Sequence, residues 1–118
     1  MGQEEHDLRV DYVEFPATDL EVIKAFYVTV FGWEFQDFGP DYSAFRDGRI
    51  SGGFHTLDRP GGSGGALVVI YAVDLEGAKA NVVKHGGTVV KQVFEFPGGR
   101  RFHFSDPSGN VLAVWSDR

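Results

Sequence analysis

Short β-forming runs in this chain alternate with two segments of helical period. From Arg9 to Phe15, Val10, Tyr12 and Glu14 alternate with Asp11, Val13 and Phe15, which predicts a strand with two differently used faces, ended by Pro16. Leu20, Ile23, Tyr27, Val30 and Phe31 then recur near helical spacing. Thr18 with Glu21 three residues on reads as a capping box at the start of that helix, and Gly32 as its left-handed stop. Trp33 to Phe38, Tyr42 to Arg46 and Ile50 to Thr56 read as three strands, broken by Gly39-Pro40-Asp41 and Asp47-Gly48. The pattern restarts after a glycine-rich stretch. Leu67 to Val73 is a strand, Asp74 caps a helix running to His85 before Gly86-Gly87, and Thr88 to Phe96, Arg100 to Ser105 and Val111 to Ser116 are three more strands.

The restart is a sequence repeat. At an offset of 55 residues, Asp19-Leu20-Glu21 falls on Asp74-Leu75-Glu76, Lys24-Ala25 on Lys79-Ala80, Val28 on Val83 and Gly32 on Gly87; Val13 and Ala17 fall on Val68 and Ala72. The predicted fold class is therefore α+β, with two tandem βαβββ modules forming a curved eight-stranded sheet. Module one covers about 8–57, a glycine-rich linker 58–65, and module two 66–118, within a single domain. A chain of 118 residues is too short for two independent cores, so the modules share one. The concave face between them is the expected ligand site.

Composition narrows the function classes. A formal charge of −6 argues against nucleic-acid and anionic-membrane partners, which need a basic surface. The absence of cysteine removes thiol catalysis and thiolate metal sites and agrees with a cytoplasmic setting. No apolar run approaches the length of a membrane span. Eleven phenylalanines predict a core or pocket rich in rings. The glycines between Pro60 and Gly65 lack the following lysine of a phosphate loop, and the segment from Asp41 to Asp47 lacks the glycine and glutamate of a calcium loop.

Phe26-Tyr27 followed by Phe31-Gly32-Trp33, together with the turn Asp106-Pro107-Ser108-Gly109-Asn110 entering the last strand, resembles the vicinal oxygen chelate superfamily of glyoxalase I, bleomycin-resistance proteins and extradiol dioxygenases. The resemblance covers nearly the whole chain. It implies paired modules, homodimers, and a cavity that in the enzymes holds a divalent metal ion. The family's four ligand positions then fall on Tyr12, Leu67, Ala113 and, if Gly48 is matched to Gly109, Gly52. None offers the imidazole or carboxylate that such an ion needs, so no metal cofactor is expected at these positions. His55 and His103 are the weak alternatives for a rebuilt site; His55 has the opposite parity from Gly52 and should point away.

Parity also sketches the groove. Tyr12 with Glu14, Leu67 with Val69 and Tyr71, Ala113 with Trp115, and Phe54 alongside Gly52 form an expected ligand-binding set, suited to a small aromatic or hydrophobic molecule. Glu14 is the candidate catalytic residue, a general base provided the surrounding rings desolvate it. Arg100 and Arg101, being adjacent on a strand, cannot both enter one pocket and read as a solvated hairpin shoulder. Three readings follow: a metal-independent small-molecule binder; a lyase, isomerase or dioxygenase of the superfamily type using Glu14 or a non-standard metal site; and a non-catalytic interaction module. A homodimer is expected from the resemblance and from the need to cover sheet edges.

Overall fold

The computed structural model describes residues 3–8, 10, 12–56 and 66–118. After a 3-10 turn at Gln3–His6, module one runs β1 (Tyr12–Pro16), α1 (Leu20–Phe31), β2 (Glu34–Asp37), β3 (Tyr42–Arg46) and β4 (Ser51–His55). Module two repeats the order with β5 (Val68–Tyr71), α2 (Leu75–Lys84), β6 (Thr88–Phe96), β7 (Gly99–Ser105) and β8 (Val111–Ser116). The α+β plan of two βαβββ modules is thus the observed fold. Its strands form two four-stranded ladders, ordered β1-β4-β3-β2 and β5-β8-β7-β6, each with one parallel and two antiparallel pairings. The expected glycine-rich linker lies outside the described residues. No helix among the described residues is long and apolar enough to cross a membrane.

Both helices start at the repeated aspartate. Asp19 accepts hydrogen bonds from the amides of Glu21 and Val22, and Asp74 accepts one from Gly77. The expected Thr18 capping box does not form, because Asp19 stands one residue nearer the first turn and its carboxylate takes those amides. The Thr18 amide instead binds Ser108 Oγ at 3.0 Å. Gly32 closes α1 in the left-handed conformation (φ 74°), donating its amide to the Val28 carbonyl.

The two modules share one core. Leu20, Ile23, Phe26 and Tyr27 of α1, Leu75 and Val82 of α2, Phe15, Phe45 and Phe54 of the first sheet, and Phe102, Phe104, Leu112 and Val114 of the second are all buried in a single cluster. Rings dominate module one's share. Tyr27 stacks on Trp33 at 4.5 Å, Trp33 on Phe45 at 4.4 Å and Phe15 on Phe54 at 5.2 Å between centroids. Each such pair contributes about 1 kcal/mol beyond its buried area.

A polar lock crosses from one module to the other. Tyr27 of α1 donates its hydroxyl to Asp106 Oδ2 at 2.9 Å, and Asp106 also accepts from the Ser108 and Asn110 amides. Asn110 Nδ2 donates to the Pro16 carbonyl at 2.9 Å. Burial pushes the Asp106 carboxyl above its ordinary range, against the pull of the Asn110 and Tyr27 hydrogen bonds. Burial, with Asp106 beside it, likewise raises the Tyr27 phenol well above its usual value, so it stays protonated as the donor. The turn that carries the family resemblance is therefore also the joint between modules.

Candidate functional site

Each sheet has a core face and an open face, and the register assigns every candidate to one of them. Residues paired across a ladder share a face. In the first sheet Tyr12 pairs with Ser51, Glu14 with Gly53 and Pro16 with His55, while His55 pairs with Tyr42 and Gly53 with Ala44 on the far side. Tyr12, Glu14, Tyr42, Gly53 and His55 therefore occupy the open face. Val13, Phe15, Phe45, Gly52 and Phe54 occupy the core face.

Two expectations are corrected here. Phe54 does not line a groove: it is fully buried against Phe15 and Tyr27. Gly52 is likewise not the counterpart of Ala113. The turn into β4 closes from the Asp47 amide to the Ile50 carbonyl, one residue shorter than the turn from the Asp106 amide to the Asn110 carbonyl. Matching Gly48 to Gly109 slips the alignment by one, and a one-residue slip in a strand exchanges its faces. The true counterpart is Gly53, and His55 turns from outside the face to a place on it.

The open face of the first sheet holds a hydrogen-bonded chain. The Tyr42 hydroxyl donates to Glu14 Oε2 at 2.8 Å and lies 2.7 Å from the Tyr12 hydroxyl. A phenol has one proton, so Tyr12 must be the donor to Tyr42, and the chain runs Tyr12 to Tyr42 to Glu14. Burial first, then its Tyr12 and Glu14 partners, drives the Tyr42 phenol far up. Tyr42 lies across Gly53, where any Cβ would strike its ring and hydroxyl. Glu14 is exposed rather than enclosed by rings. A cleft of about 330 Å³ beside this chain is lined by Tyr12, Gln36, Ala44, Arg46 and Ser51 together with Phe38.

The open face of the second sheet is built in two rows. In one, Lys91, His103, Ala113 and Val69 follow one another across β6, β7, β8 and β5; in the next come Phe94, Arg101, Trp115 and Tyr71. Register shifts in β6 on both sides of Lys91 bring Lys91 and Phe94, three residues apart, to the same face. Tyr71 meets Trp115 edge-on at 5.1 Å, and its hydroxyl donates to Asp117 at 2.6 Å. The side chain of His103 faces outward between the buried Phe102 and Phe104, 5.8 Å from Phe94, and its Nε2 is buried without a hydrogen-bond partner. Burial, then the charges of Arg101 and Lys91, holds its pKa below the usual imidazole range.

Val69, Tyr71 and Trp115 also line a larger cleft of about 650 Å³, shared with Val13, Phe15, Trp33 and Phe45 of module one. Of the expected set, the structure thus gathers Val69, Tyr71, Ala113 and Trp115 on one face and Tyr12 with Glu14 on another. Leu67 is 37% exposed beside β5, and Ala113 is a fully buried floor. Sequence reasoning missed Tyr42, Lys91, Phe94 and Phe96. It also discounted Arg101, although adjacent arginines on a strand require one on each face.

A family model for the Glyoxalase/Bleomycin resistance protein/Dioxygenase superfamily matches residues 9–114. The chain belongs to this superfamily. Among solved structures it is similar to a glyoxalase/bleomycin resistance protein/dioxygenase family enzyme from Burkholderia phytofirmans PsJN, at 20% identity and TM-score 0.77, covering 92% of this chain and 100% of that one. It is also similar to lactoylglutathione lyase from Agrobacterium tumefaciens, at 22% identity and TM-score 0.71 over 92% and 93% of the two chains. TioX from Micromonospora sp. ML1 gives 18% identity and TM-score 0.71 over 92% and 98%. At these identities the likeness is one of fold. No curated protein matches the sequence.

The superfamily's divalent ion can be tested against the residues present. Its four positions hold Tyr12, Gly53, Leu67 and Ala113, a donor set of one phenol, and the space above Gly53 is taken by Tyr42. Among the described residues, no three histidine, aspartate or glutamate side chains come together to hold an ion. The residues do not fit the superfamily's metal.

Proposed function

We propose that this superfamily member binds a small aromatic or hydrophobic molecule on its open sheet faces and does so without the superfamily's divalent ion. The observation that supports this reading most is the filling of the Gly53 position by Tyr42, which leaves a hydrogen-bonding phenol pair where a metal-ligand side chain would project. Exposed Tyr12, Val69 and Tyr71, each between 42% and 44% accessible, offer stacking surface, and a few hydroxyls offer orientation. Elemental analysis of the purified, untagged protein tests the reading, together with melting in the presence of nickel, zinc, manganese and iron(II). The expected result is substoichiometric metal and no shift. Near-stoichiometric metal, or clear stabilisation by one ion, overturns it.

A catalytic reading rests on the Tyr12–Tyr42–Glu14 chain, which can pass a proton from a substrate at Tyr12 to the Glu14 carboxylate. Its test is Glu14→Gln, which in that case abolishes turnover of a bound ligand while leaving its affinity unchanged.

A further inference from the structure

We propose that the open face of the second sheet binds a planar aromatic anion, with Arg101 and Lys91 receiving its carboxylate and Trp115 and Tyr71 its ring. This deepens the binding reading above and rests on it. The observation behind it is a contrast between neighbours. Arg100 points to the core side of its sheet and is satisfied, donating to Glu76 at 2.9 Å and to the Arg118 carbonyl. Arg101 points the other way, and no carboxylate among the described residues pairs with it. Its guanidinium carbon stands 5.3 Å from the Phe94 ring centre and 5.6 Å from that of Phe96, and its Nε is buried without a partner.

Lys91 is held in the same manner, with Nζ 4.3 Å above Phe94 and no carboxylate partner among the described residues. What sets these two apart is that the register places them on one face beside aromatic rings. Neither cation has a carboxylate partner among the described residues, and an incoming carboxylate supplies a charge-assisted one. Aromatic rings beneath the guanidinium keep its fork pointing outward and ready for a bidentate carboxylate.

The register shapes the rest of the ligand. Arg101 pairs directly with Trp115, Trp115 with Tyr71, and His103 with Ala113. Ala113 is a buried floor between His103 and Val69, and beside it Trp115 and Tyr71 stand at the end of the 650 Å³ cleft. A ring laid against Trp115 and Tyr71 puts its carboxylate at Arg101, one strand away, about 5 Å. Other acids do not spoil the site: Asp117 is occupied by Tyr71 and by Arg118 at 3.4 Å, and Glu95 pairs in register with Arg100 on the opposite face.

The probes are 2-naphthoate and its neutral isostere 2-naphthamide, titrated by calorimetry and by the indole N–H resonance of Trp115. The expected result is that naphthoate binds at least about tenfold more tightly than the amide, since one charge-assisted pair is worth roughly that factor. Arg101→Gln should abolish the preference. Lys91→Gln, at an exposed position that cannot affect folding much, should reduce it about threefold. Equal binding of both probes, or a preference unmoved by either variant, overturns the anion inference and leaves the groove reading in place. Failure of both probes to bind removes both.

Discussion

Replacing Tyr27 with phenylalanine should loosen the joint between the two modules. The variant keeps the ring stacked on Trp33 and removes one hydroxyl, whose only partner among the described residues is the 4% exposed Asp106. A hydrogen bond to a charged, buried acceptor contributes about 1.5–3 kcal/mol, so the expected loss at pH 7 is about 2 kcal/mol, or roughly 8 °C in melting temperature for a chain of this size. The loss depends on pH with a definite sign. Burial holds the folded Asp106 carboxyl above its unfolded value, so its contribution to stability is full below about pH 4 and falls as pH rises through the folded value. Tyr27 favours the carboxylate form, and removing it raises that folded value further. The penalty of Tyr27→Phe should therefore grow as pH rises through the folded Asp106 value, and be smaller at pH 4 than at pH 7. Urea unfolding followed by tryptophan fluorescence at both pH values measures it, with Asp106→Asn and the double variant closing a thermodynamic cycle. A loss below about 0.5 kcal/mol, or the same loss at both pH values, would refute the assignment of this bond as the joint.

Gly52→Ala should cost about 3 kcal/mol, because a Cβ there meets the Val13 carbonyl and the Phe45 ring inside the β1–β4 ladder; a melting temperature within 2–3 °C of wild type would contradict the packing described. In solution the protein is expected to be a homodimer, since β2 and β6 leave sheet edges and the open faces expose Tyr12, Leu67, Val69 and Tyr71; a light-scattering mass of one chain, 13.0 kDa, would reject this.

The fold was legible because it is written twice. Asp19 and Asp74 both prove to be helix caps, and the strand runs beginning at Tyr42, Thr88 and Val111 appear with the bounds their alternation predicts. What the repeat could not supply was the turn length between β3 and β4. One residue fewer than its counterpart exchanged the two faces of β4, so Phe54 moved from groove to core and His55 onto the open face. The register shifts beside Lys91 had no signal at all, since nothing in Val89-Val90-Lys91-Gln92 departs from an ordinary strand pattern. Arg101 was legible in principle. Its parity with His103 was available, and the argument that adjacent arginines cannot both enter one pocket still leaves one of them on each face. Tyr42 was hidden for a different reason: its importance lies in a vacancy at Gly53 eleven residues later, and that pairing is tertiary.

The ring of Tyr42 over Gly53 also makes the route back to a chelating site a coupled one. A glutamate introduced at Gly53 has to push aside the Tyr42 ring and with it the Tyr12–Tyr42–Glu14 chain, and Tyr42→Ala alone leaves a bare glycine with no donor. The two changes are therefore coupled through the same ring. Directed libraries that open position 42 together with position 53 therefore begin from a surface that can accept a ligand side chain without a displaced ring.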